Sequence, residues 1–110
     1  MRSFGRLLRR LRGETSLSTV AERAHFDELY LAQVEEGEVA VDEATAGQIL
    51  RESFDLNRSD TDRLILGIQL YDLGLRDNQL RQLVIDLIRK ETPQPIRSEL
   101  RQLYQRYAGE

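Results

Sequence analysis

Asp27-Glu28-Leu29-Tyr30-Leu31-Ala32-Gln33-Val34-Glu35-Glu36-Gly37 is the stretch on which the fold turns. Asp27 is a residue type that caps a helix, because its carboxylate accepts from backbone N–H groups of the first turn. Leu31 and Val34 stand three apart and share one side of a helix from Glu28 to Glu36. Gly37 offers the left-handed residue that stops it. A short helix with an inward apolar pair is therefore expected here.

Working outward, the same period continues in both directions. Phe4, Leu7, Leu8 and Leu11 recur at helical spacing with Arg6, Arg9, Arg10 and Arg12 between them, predicting an amphipathic helix over 3–13. Ser16, Ser18 and Thr19 are candidate N-caps. Thr19-Val20-Ala21-Glu22 has capping-box spacing, which predicts a second short helix ending near Ala24, followed by a turn at His25-Phe26. Asp42 caps a fourth helix bearing Ala46, Ile49, Leu50 and Phe54, and Asp55-Leu56-Asn57 closes it. Beyond, Ser59 or Asp60 opens a helix from about Thr61 to Leu73, apolar over more than one side and stopped by Gly74. Asp77 caps the next helix, where Leu80, Leu83, Val84, Leu87 and Ile88 form a stripe. Pro93 and Pro95 break it, and a last helix from about Ile96 to Tyr107 aligns Leu100, Leu103 and Tyr104. No strand-like alternation persists, so the chain is expected to be all-α.

Composition narrows the function classes. The 110 residues carry 16 Lys+Arg against 19 Asp+Glu, a net charge of −3, which argues against a generic polyanion binder. There is no Cys, hence no disulfide, no thiolate metal site and no thiol catalysis, and a reducing, cytoplasmic setting is expected. No apolar run approaches a membrane span, and the N-terminus lacks the apolar core of a secretory signal. His25 is the single histidine, and the seven glycines are scattered with no phosphate-binding loop. An enzyme is not expected, nor a cofactor, metal or ligand pocket.

Residues 4–57 resemble the lambda-repressor-like (XRE) helix-turn-helix family. The resemblance rests on Leu8-Arg9-Arg10-Leu11-Arg12, on Ala21-Glu22-Arg23-Ala24 and on Tyr30-Leu31-Ala32-Gln33-Val34-Glu35-Glu36-Gly37. It covers about half of the chain. It implies an internal ion pair between Arg12 and Glu35, and a third helix that enters the major groove of duplex DNA. By position, the implied DNA-facing residues are Glu28, Leu29 and Gln33 with Asp27 as cap. The amino ends of the second and fourth helices (Ser18 and Thr19, and Val41 to Glu43) and the Arg-rich first helix (Arg2, Arg6, Arg9 and Arg10) would meet the backbone. The chain departs from the family in a shortened second helix, in His25 where a turn glycine is usual, and in its charge. Residues 1–57 hold 7 basic and 11 acidic groups, residues 58–110 hold 9 and 8, and no Lys or Arg lies between Arg23 and Arg51.

The expected organisation is thus a helix-turn-helix domain at 1–57 and a small helical dimerisation domain at 58–110. Three amphipathic helices exceed what so small a first domain can cover, which predicts a homodimer through Leu80, Leu83, Val84, Leu87, Ile88, Leu100, Leu103 and Tyr104, with an intrachain core of the same residues as the alternative. The leading function is a DNA-binding, repressive transcription regulator. The alternative is a protein-interaction module (anti-repressor, antitoxin or adaptor) whose acidic third helix binds a protein partner.

Overall fold

A computed structural model describes residues 1–74, 76–89 and 94–108. Among them the chain forms seven α-helices and no strand: α1 (Phe4–Arg12), α2 (Leu17–Ala24), α3 (Glu28–Glu35), α4 (Glu43–Phe54), α5 (Arg58–Asp72), α6 (Asn78–Ile88) and α7 (Gln94–Ala108). They divide into two compact units, Met1–Thr61 and Asp62–Glu110, with the division inside α5. No helix among the described residues is long and apolar enough to cross a membrane.

Local chemistry accounts for the helix ends, with two corrections to the sequence expectations. Of the three candidate caps of α2, Ser16 serves: the Thr19 N–H donates to Ser16 Oγ at 3.2 Å, so the capping-box spacing at Thr19 does not mark the helix start. Starting at Leu17 puts Thr19 in the first turn, where its hydroxyl shares a 2.7 Å hydrogen bond with Ser16 Oγ. Asn57, not Ser59 or Asp60, opens α5, its side-chain oxygen accepting from the Asp60 N–H at 2.8 Å. The last helix begins at Gln94, ahead of Pro95, because a proline in the first turn lacks only an N–H that has no intrahelical acceptor there. Pro93 and the side chains of Ile96 and Tyr107 lie outside the described residues. Asp27, Asp42 and Asp77 cap α3, α4 and α6 as their positions predict.

In the first unit α1 packs on α3 and α4, and α2 packs on α3 and α4. The buried apolar side chains are Phe4, Leu7 and Leu8 of α1, Val20, Ala21 and Ala24 of α2, Leu31 and Val34 of α3, then Val41 and the Ala46, Ile49 and Leu50 of α4. Polar groups tie α2 to α4. The buried Ser53 hydroxyl donates to Val20 O at 2.7 Å, Gln48 Nε2 donates to Ala24 O at 2.8 Å, and Arg23 Nη1 donates to Ser53 O at 3.4 Å. The last two satisfy carbonyls at helix C-termini that have no partner within their own helix.

In the second unit Leu66 and Leu70 of α5, Val84 and Leu87 of α6 and Leu100 of α7 form a core, with Leu83, Ile88, Leu103 and Tyr104 packed against it. The buried Arg63 donates through Nη1 to Leu87 O and Ile88 O, at 2.7 and 2.6 Å, placing its charge on the negative end of α6.

One contact sets the spacing of α1 and α3. A Cβ on Gly5 would lie 2.1 Å from the Val34 carbonyl oxygen and 2.9 Å from Glu35 Cα. Both obstacles are backbone, so neither can rotate away. Gly5→Ala is therefore expected to lower stability by about 1–3 kcal/mol, read as a lower urea midpoint, even though alanine favours helices elsewhere.

Candidate functional site

The candidate site is the α2–turn–α3 corner. α2 ends at His25, which adopts the left-handed conformation (φ 62°, ψ 39°). The Phe26 N–H then donates to Ala21 O at 2.9 Å and the His25 N–H to Glu22 O at 3.3 Å, the paired bonds of a Schellman stop made without glycine. Phe26 stacks on Tyr30, ring centroids 5.7 Å apart, and Asp27 accepts from the Leu29 N–H at 2.8 Å. Burial, then the nearby Asp42 carboxylate, push the Tyr30 phenol up. At the other end of α3, Gly37 (φ 76°) closes a second Schellman stop, with Gly37 N–H on Val34 O and Glu38 N–H on Gln33 O. α3 is thus fixed at both ends by backbone geometry, and Leu31 and Val34 hold its inner side.

Its orientation is fixed by charge. Arg12 donates through Nη2 to Glu35 Oε1 at 2.9 Å and through Nε to Glu35 Oε2, a two-pronged contact on a carboxylate whose side chain is 3% exposed. Arg12 also donates from Nη1 to Thr15 O at 3.2 Å. Arg9 adds a longer contact to Glu35 at 3.4 Å and one to Glu36 at 3.1 Å. Burial raises the Glu35 pKa, but the hydrogen bonds and charges of Arg12 and then Arg9 outweigh it, so the carboxyl titrates below its ordinary value. The Glu35 hydrogen bond correspondingly raises Arg12. The ion pair implied by the family resemblance is present, joined by a second guanidinium.

The outer side of α3 carries the residues singled out from sequence. Asp27, Glu28 and Leu29 are exposed, Leu29 by 68%, and Gln33 is half-buried. Ser18 is exposed and Thr19 half-buried in the first turn of α2. Arg10 is exposed on α1, whereas Arg9 turns to Glu35 and Glu36. Sequence reasoning passed over Gly5 as one scattered glycine. Its spacing to Leu8 and Arg12, three and seven residues on, marks the side of α1 that meets α3.

The eight residues expected at a dimer contact separate. Val84, Leu87 and Leu100 are at most 2% exposed within this chain's own core, so no surface of theirs is left for a second copy. Leu83, Ile88, Leu103 and Tyr104 are half-buried against that core, and Leu80 is half-buried. Tyr71 and Leu73, at the end of α5, are exposed by 48% and 39%. Tyr71 borders an open cleft of about 400 Å3 with Leu70, Gly74, Arg81, Val84 and Ile85. Among the described residues no group of three or more His, Asp or Glu side chains is placed to hold a metal ion.

Set against known proteins, the chain matches no family model, no curated protein and no solved structure.

The Glu35 pKa has a consequence for stability. Its folded value is depressed below the ordinary carboxylate value of about 4.3, so its contribution is complete above that value and is lost as pH falls through the lowered one. Glu35→Gln is expected to cost about 2 kcal/mol near neutral pH. In urea titrations the gap between wild type and variant should close on acidification below about pH 4.

Proposed function

We propose that the Met1–Thr61 unit is a lambda-repressor-like helix-turn-helix domain that reads double-stranded DNA with α3, and that the protein acts as a repressive transcription regulator in homodimeric form. The observation that carries this is the presentation of α3: a short helix braced by Arg12–Glu35 and by the Gly5 contact, yet holding Leu29 68% exposed beside Glu28. A large apolar side chain held rigidly in water is suited to a macromolecular surface. On DNA, Glu28 would accept from a cytosine amine, Gln33 would pair with adenine and Leu29 would rest on a thymine methyl. Ser18, Thr19 and the N-terminal amides of α2 would face phosphate, with Arg10 as a cation in reach.

A second proposal has its own support. Asp27, Glu28, Glu36, Glu38, Asp42 and Glu43 are all exposed around α3, and Arg9 and Arg12 are already paired with Glu35. A basic protein groove with an apolar recess for Leu29 would meet that surface without repulsion, as an anti-repressor, antitoxin or adaptor requires.

Among the described residues of the second unit, Tyr71 and Leu73 are the large apolar side chains open enough to meet another copy. Dimers would present two α3 helices to half-sites about 34 Å apart.

Selection from a random duplex pool tests the DNA proposal. Wild type should enrich a recurring sequence, and Leu29→Ala with Gln33→Ala should lose that enrichment with its thermal midpoint kept. Enrichment of nothing by wild type removes the DNA proposal. Glu28→Lys should raise random-duplex affinity several-fold on the DNA proposal and abolish partner capture on the other. Sedimentation equilibrium at micromolar concentration should give a dimer that Tyr71→Glu dissociates; a wild-type monomer would remove the dimer.

A further inference from the structure

We draw no further inference here: the strongest candidate, the open cleft of about 400 Å3 between α5 and α6 lined by Leu70, Tyr71, Gly74, Arg81, Val84 and Ile85, shares Tyr71 with the dimer contact already proposed, and nothing in the structure shows what covers it.

Discussion

The Glu35 carboxylate is the group on which the first unit depends. It sits almost wholly out of water, and an ion so placed is tolerated only when its charge and lone pairs are met. Arg12 meets it from two nitrogens and Arg9 from a third direction. Because Glu35 is the last residue of α3 and the guanidiniums belong to α1, meeting the charge also fixes where α3 ends. Gly5 sets the other coordinate, the separation of the two backbones, by offering no Cβ where Val34 O approaches. Together they convert an amphipathic pair of helices into one geometry, which apolar burial alone would specify less sharply.

The same bracing explains how α3 can be short and still present its outer side. A helix of eight residues is marginal alone. Here Asp27 satisfies its start, Gly37 closes its end, and Leu31 and Val34 seat its inner side, so Leu29 and Glu28 are held without contributing to the core. The chemistry of the unit is then partitioned by α1. Arg9 and Arg12 serve as counter-charges to Glu35, and Arg10 stays in solvent.

In the second unit the energetic emphasis differs. Its centre is aliphatic, and the buried Arg63 acts on backbone carbonyls at the end of α6. Gly67 has a role like that of Gly5 in a softer form: a Cβ there would come 2.6 Å from Ile88 Cγ1, a side-chain atom that can move. The apolar stripe on α6 and α7 packs on α5, and Tyr71 and Leu73 stay exposed at its end.

From the sequence alone, helical period, Asp caps and glycine stops determined an all-α chain and placed most helices to within a residue or two, because those signals act within one turn. The resemblance read in residues 4–57 also implied the Arg12–Glu35 pair, two residues 23 apart in the chain. Tertiary structure decided what short-range signals cannot carry. It chose Ser16 over Thr19 and Asn57 over Asp60 as caps, since several adjacent residues could each accept the same bond. It turned Arg9 onto Glu35 and Glu36 and gave Arg10 no such pairing, although both are exposed neighbours of identical chemistry. It drew Val84, Leu87 and Leu100 into their own chain's core, because a stripe reports that a side must be covered and not by what.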